Sequence, residues 1–506
     1  MKVLSAVGRH SWLLYPVFLF LALAGWSLAS PPGSSPDEDF HLVSAWCALG
    51  PREGLCAPGA VETTRVVPLD LLLTPCYAFQ PEMAGTCPLD SGQTIETDRF
   101  NFLSYYPNGF YMFMGVFAGP SVVGSVLVMR LVNSLIYAVG LAALLFLARP
   151  GKRESYMIGA LIPMIPLGVF VVASSTVRSG SVVAGWAFTS ATLVWASAVE
   201  FIRATERPRR IALGVLCLFG IILGTAARAD SAAYAALAIG LAWLATAKVG
   251  RRTLIYGGIA GVIGLVAVLW SLSLGSAEIL STITPINPRP PRGGWLQRLQ
   301  DLPQFYAGAF GTRGLGWLDT SLRSATWVLA GGAFVALVFW GVRRAGWRKI
   351  TSLGLIAAIA AVIPITIATL RYATLQESLQ PRYFLPLLVL TGMIALAEDN
   401  EDGPQFHPVQ AALVVFAMGV AHGNALHTNM RRYLTGIDKK WFNLNRDVEW
   451  WWNWAPPPMV FFSVAALSFF AAVTVFAIAQ HRAVREPLDE PAGGLPRRAL
   501  LQSDAG

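Results

Sequence analysis

The stretch SPPGSSPDEDFHLVSAW, residues 30–46, gathers Asp37, Glu38, Asp39 and His41 into a few positions just after an apolar run. Three carboxylates and an imidazole beside a membrane surface can take a proton as general base, or could hold a divalent cation such as Mg2+ or Mn2+. Asp37 and His41, four apart, would share one helical face. The same residues also suit a helix start, with Ser35 as N-cap, Pro36 at N1 and Glu38 at N3 forming a capping box. Far along the chain, Arg382 can give two charge-assisted hydrogen bonds to a phosphate. Arg130, Arg228 and Asp230 lie within or beside apolar segments, where ionisable groups are costly; pairing of Arg228 with Asp230, or of Arg130 with the acidic loop, would lock helices together.

Two further groups carry less specific chemistry. In DVEWWWNWAPPP, residues 447–458, the tryptophans fit an interfacial belt, or sugar stacking by Trp450 to Trp454 helped by Asp447 or Glu449. Arg431, Arg432, Lys439 and Lys440 just upstream could attract anionic lipid headgroups. His422 and His427 read as packing or hydrogen-bonding groups, since a two-histidine metal site needs ligands that the local sequence lacks.

The elements that must position these residues are membrane helices. Of the 506 residues 55% are hydrophobic and 13% charged, with a mean hydropathy of +0.53, against roughly 25% charged in a soluble domain. Twelve segments are long and apolar enough to span, with ten to twelve as the range. They are 11–30, 121–148, 156–174, 182–202, 211–227, 231–247, 253–274, 326–342, 350–370, 383–397, 409–425 and 459–480. With the N-terminus inside, just over half of the 38 basic residues fall in short cytoplasmic connections and the two termini, as the positive-inside rule requires. The net charge of +9 therefore describes orientation and not nucleic-acid binding. Only the loop holding Glu398, Asp399, Glu401 and Asp402 dissents in sign.

Three long regions then face the outside: 31–120, 275–325 and 427–458. The first holds Cys47, Cys56, Cys76 and Cys87. An even set in one loop reads as two disulfides in an oxidising compartment, with three connectivities open; joining nearest neighbours gives Cys47–Cys56 and Cys76–Cys87. A zinc site generally uses shorter knuckles. Residues 1–480 form one transmembrane domain, and the tail 481–506 has a disordered composition. No P-loop, dinucleotide fingerprint or zinc-protease motif occurs.

Four motifs occur in consistent order over roughly residues 10–400: PDEDFH after the first span, YYPNGFYMF before the second, GLGWLDTSL before the eighth and LQPRYFLPLL opening the tenth. On these the chain resembles the bacterial membrane family called domain of unknown function 2142, which is in turn similar to the GT-C glycosyltransferases. The resemblance implies an all-α, GT-C-like polytopic fold in the bacterial cytoplasmic membrane, with both termini cytoplasmic and the active face outside. It implies transfer of a sugar from a polyprenyl-phosphate donor to a cell-envelope glycan or glycolipid acceptor. Asp37, or Glu38 as second choice, would be the base, with His41 following. Tyr106 would lie on a juxtamembrane helix lining the site. Trp317 would fold over the site, and Asp319 would be structural or substrate-binding. Arg382 and Tyr383 would meet the donor phosphate. The competing classes are a transporter or flippase of lipid-linked glycans, expected to show inverted repeats and broken helices, and a non-catalytic glycolipid-binding protein.

Overall fold

The computed structural model describes residues 7–8, 10–89, 91–104, 106–174, 181–228, 230–246, 262, 269, 284–287, 294–343, 345–397 and 406–485. Helix α1 is Ser11–Leu28 and α2 is Glu38–Cys47; the first loop then adds β1 (Ala57–Pro58), β2 (Arg65–Pro68), β3 (Thr94–Thr97) and α3 (Asn108–Gly115). There follow α4 (Val122–Leu147), the bent pair α5 (Arg153–Leu161) and α6 (Met164–Val172), α7 (Ser181–Arg203), α8 (Arg207–Ala227) and α9 (Ser231–Thr246). The remainder is α10 (Gly294–Ala307), α11 (Ser324–Val342), α12 (Trp347–Leu370), α13 (Pro381–Leu396), α14 (Pro408–Leu434) and α15 (Pro458–Arg485).

Among the described residues, seven helices are long and apolar enough to cross a membrane, or up to eight if the α5–α6 pair, bent by 78°, is one span. The chain is thus a mostly helical, multi-pass membrane protein. Segments expected at 231–247 and 383–397 are shorter apolar helices, and the segment at 253–274, but for residues 262 and 269, lies outside the described residues. Boundaries differ in two places. Helix α14 continues to Leu434, so 427–434, expected as loop, is helical; α15 runs to Arg485, past the expected start of the tail at 481. Pro408 at N1, with His407 and Gln410 forming a capping box, starts α14, and no proline or glycine between Gly423 and Thr435 stops it.

Close backbone approach sets the bundle. A methyl group on Gly25 of α1 would lie 2.4 Å from the Ala465 side chain of α15, and one on Gly159 of α5 would lie 2.7 Å from the Met393 backbone of α13. Small residues at such crossings let membrane helices gain van der Waals contact that lipid cannot supply. A second apolar cluster underlies the first loop, where Leu42, Trp46, Val67, Leu71, Phe110 and Trp186 pack together. Above it, β2 pairs antiparallel with β1 and β3, with Val66 opposite Glu96 and Val67 opposite Ile95. Both expected disulfides are present, Cys47–Cys56 and Cys76–Cys87. At the far ends of α4 and α7, buried Glu200 accepts hydrogen bonds from Arg149, Arg209 and Tyr156.

Candidate functional site

The acidic cluster is divided between two arginines. Glu38 is fully buried, and both its oxygens accept from Arg130 of α4, at 3.1 and 3.0 Å. The same guanidinium donates to the carbonyls of Ser27, Ser30 and Pro31 and to the Ser34 hydroxyl. Arg130 therefore gathers the whole turn between α1 and α2, as a buried arginine must if its five donors are to be satisfied. Asp37 turns the other way. Its backbone is left-handed, φ 58°, a conformation that Asp tolerates better than most residues. Its carboxylate meets Arg99 at 2.9 Å, and Asp39 binds the same guanidinium. Arg99 is 37% exposed at its side chain; the bond to Asp39, and secondarily Asp37, drives its pKa above the ordinary arginine value against some desolvation.

The capping box expected at Ser35 is not formed as such. Asp37, not Ser35, is the N-cap, and no side chain caps there. Only the return half survives, with the Ser35 amide 3.5 Å from Glu38, while the Ser35 hydroxyl bonds Ser174. The left-handed residue starts the helix two positions late, and this sends Asp37 and His41 to different partners. His41 Nδ1 bonds the Tyr111 hydroxyl of α3, with the two rings stacked, and the Tyr106 ring stands edge-on at 5.3 Å.

Asp37, Glu38, Asp39 and His41 therefore do not converge on a point. Among the described residues, no three His, Cys, Asp or Glu side chains are grouped to hold a metal. The positive charge against the carboxylates is guanidinium, so the residues present do not fit the divalent cation that their order in sequence suggested.

Arg382, at the first turn of α13, is only 4% exposed. It interacts electrostatically with Asp37 and Tyr106 and hydrogen-bonds Tyr383. Three segments, 69 and 276 residues apart in sequence, thus bring Asp37 and Tyr106 within electrostatic reach of Arg382. Tyr383 is itself held: its carbonyl accepts from the Tyr234 hydroxyl, and the Arg228 guanidinium lies 5.1 Å from its ring centroid. Arg228 also pairs with Asp230 at 2.6 Å, so the expected locks of Arg130 to the acidic loop and Arg228 to Asp230 are both formed.

The GWLDT turn does fold over the junction of α1 and α2. Leu315 bridges Thr320, Leu318 is left-handed, and Trp317 Nε1 donates to the Gly33 carbonyl at 2.8 Å. Asp319 instead pairs with Arg432 at 2.9 Å, which favours the structural of its two expected roles. Arg432 is fully buried, lies against the Tyr77 and Tyr433 rings, and donates to the carbonyls of Met83, Tyr77 and Gln80. Its expected part in attracting lipid headgroups is therefore overturned, because the extra turns of α14 carry it into the first loop. His422 and His427 serve as expected: His422 accepts from Trp26 and stacks on Phe469, and His427 bonds the Phe442 carbonyl.

Sequence reasoning missed Arg99 and the load on Arg432. A signal existed for the first, since Arg99 is the sole basic residue between Arg65 and Arg130 and the acidic cluster needs counter-charge. No match was found among curated proteins or solved structures. A family model described as "Predicted membrane protein (DUF2142)" matches residues 20–391. That stretch takes in the Arg99 cluster, the YYPNGFY helix, the GWLDT turn and Arg382, and the chain belongs to the DUF2142 membrane protein family.

Proposed function

We propose that the chain is a GT-C-like glycosyltransferase of the bacterial cytoplasmic membrane, with twelve spans and the first loop outside, using a polyprenyl-phosphate sugar as donor and an envelope glycan or glycolipid as acceptor. The observation that carries this reading is that buried Arg382 lies within electrostatic reach of Asp37 and Tyr106. A carboxylate and a buried guanidinium a few side chains apart are what such a displacement needs. The acceptor hydroxyl attacks the anomeric carbon and gives its proton to Asp37. The bond from that carbon to the phosphate oxygen breaks, and the electron pair leaves with polyprenyl phosphate. Arg382, with Arg228 behind Tyr383, stabilises the charge that grows there. One displacement inverts the anomeric centre. Between the two candidate bases Asp37 is preferred, because Glu38 is fully buried and chelated by Arg130. Tyr106 and His41 form the aromatic wall beside the carboxylate.

The 78° break between α5 and α6 favours one competing reading, a flippase of lipid-linked glycans, since transporters build sites at broken helices. The segment from Leu161 to Val172 carries no charged residue, whereas the ionised groups collect at the ends of helices, and this supports transfer over transport.

The test uses the full chain in nanodiscs, a panel of polyprenyl-monophosphate sugars and envelope extract as acceptor. Asp37→Asn should lower turnover by about 100- to 10,000-fold, the range of a lost general base, while leaving donor binding. Arg382→Ala should weaken donor binding. Full transfer by Asp37→Asn would eliminate the base, and unchanged donor-lipid binding by Arg382→Ala would eliminate the phosphate contact.

A further inference from the structure

The last turn of α14 carries two adjacent arginines with opposite fates. Arg432 is spent on four acceptors. Arg431 is only 8% exposed, yet its Nε and Nη1 meet neither solvent nor a hydrogen-bond partner, and among the described residues it joins no ion pair. A basic residue so placed ordinarily serves the free carbonyls at the helix end. Here those carbonyls are already taken. The Thr435 amide and hydroxyl donate to that of Arg431, the Gly85 amide to that of Tyr433, and the Glu449 and Trp450 amides to that of Leu434.

The described charge that reaches Arg431 has the same sign. Arg323, the exposed N-cap of α11, lies within electrostatic reach of both Arg431 and His427. Helix α11 starts there without a side-chain cap, so its positive end adds to the same field. Arg431 also lines a cleft with Thr435, Trp441, Asn443 and Arg446. Of the two arginines in that cleft, Arg446 has a counter-charge, Asp447 at 3.5 Å, and Arg431 has none among the described residues. A guanidinium held largely out of water, without an acceptor and facing a second cation, is unfavourable unless an anion joins it.

We infer that Arg323 and Arg431 together bind the phosphate of an anionic membrane lipid beside the first turn of α11. Two guanidinium forks from different helices, next to a helix N-terminus, suit a phosphate better than a single-point anion. The surroundings favour a lipid over free phosphate. Trp327 and Val328, one turn along α11 from Arg323, are exposed, as is Phe442, whose ring stacks on His427. Exposed aromatic and aliphatic side chains next to cations at a helix end mark the level where headgroup meets acyl chain. The site does not depend on the proposed transfer chemistry, and its test reads binding and stability alone.

Delipidated full-length protein in detergent is given phosphatidylglycerol, phosphatidylcholine or inorganic phosphate; bound ligand is counted by native mass spectrometry and melting is followed in parallel. Phosphatidylglycerol should be retained over phosphatidylcholine and should raise the melting temperature. Arg323→Gln/Arg431→Gln should weaken its retention about tenfold or more, the worth of losing charged hydrogen bonds, and Arg323→Lys/Arg431→Lys should recover part of it. Without lipid, Arg431→Gln should melt no lower than the unaltered chain, because the guanidinium it removes has no partner there. A clearly lower melting temperature of lipid-free Arg431→Gln would mean that the charge is met within the chain and would overturn the site. So would unchanged retention by Arg323→Gln/Arg431→Gln, or an equal loss in Lys439→Gln/Lys440→Gln, which would reduce the effect to general surface attraction. Binding of inorganic phosphate with no preference for phosphatidylglycerol would overturn the lipid as occupant.

Discussion

Arg130→Met removes the guanidinium that closes the turn between α1 and α2. Glu38 is then left buried as an uncompensated carboxylate, and breaking a buried pair from one side costs about 3–5 kcal/mol. The carbonyls of Ser27, Ser30 and Pro31 and the Ser34 hydroxyl also lose a donor, at about 1 kcal/mol each on the low figure for a buried acceptor. The total, about 7–9 kcal/mol before relaxation, is comparable to the roughly 5–15 kcal/mol that holds a typical protein folded. Relaxation and water entry reduce it, so a loss of at least about 4 kcal/mol is expected after neighbours adjust. The decisive comparison is Arg130→Met/Glu38→Met. Replacing both partners by apolar groups of similar volume is often close to neutral for the pair itself. The double variant should therefore be more stable than Arg130→Met by about 3–5 kcal/mol, although it carries one more substitution. Glu38→Gln, which leaves Arg130 its four neutral acceptors, should cost about 1.5–3 kcal/mol. Thermal unfolding of detergent-solubilised protein, followed by intrinsic tryptophan fluorescence, gives the order. If the double variant melts no higher than Arg130→Met, Glu38 is not the group orphaned and the pairing is wrong.

Three other outcomes follow from the same physics. Arg432→Lys keeps the charge but loses the planar fork that reaches Met83, Tyr77, Gln80 and Asp319; a loss of about 2–4 kcal/mol is expected, and an unchanged melting temperature would refute the hub. Removing Cys76–Cys87, which closes a sequence separation of 11, should destabilise the first loop by about 3 kcal/mol and speed its proteolysis, less so in Arg432→Lys because both act on residues 77–83. Glu96 accepts from the Thr64 hydroxyl, the larger cause, and the Ala60 amide, and its pKa is lowered from 4.5. A depressed carboxylate stabilises above its unfolded pKa, so protection of the Ala60 amide against hydrogen exchange should be full above 4.5 and fall as the pH drops below it; protection independent of pH would contradict the contact.

What the sequence made legible follows from how local each signal is. Apolar runs report their own length, so α1, α4, α8, α11 and α12 fall within a few residues of expectation. The disulfides were legible because their partners are neighbours in the chain. The end of α14 was not, because a polar surface-like sequence, HTNMRRYL, is helical only by being buried against the first loop. Asp37 illustrates the same limit at the site. Its type and place were evident, but its left-handed backbone depends on Arg99 and on the turn that Arg130 ties down, and neither is visible in the local pattern. The approach of Arg382 to Asp37 could be drawn only from resemblance, since no spacing rule joins residues so far apart.

The bonds of Arg432 also set an order of events during synthesis. Its contact with the Met83 carbonyl spans 349 residues, and chains elongate at about 5–20 residues per second. The first loop therefore waits about 17–70 seconds after translation before the side chain that docks it exists. During that interval the loop must be kept soluble, and its cysteines must find the right partners, without the end of α14 that carries Arg432. Two disulfides closing short intervals, each internal to the loop, suit a segment that has to acquire its shape early and its anchorage late.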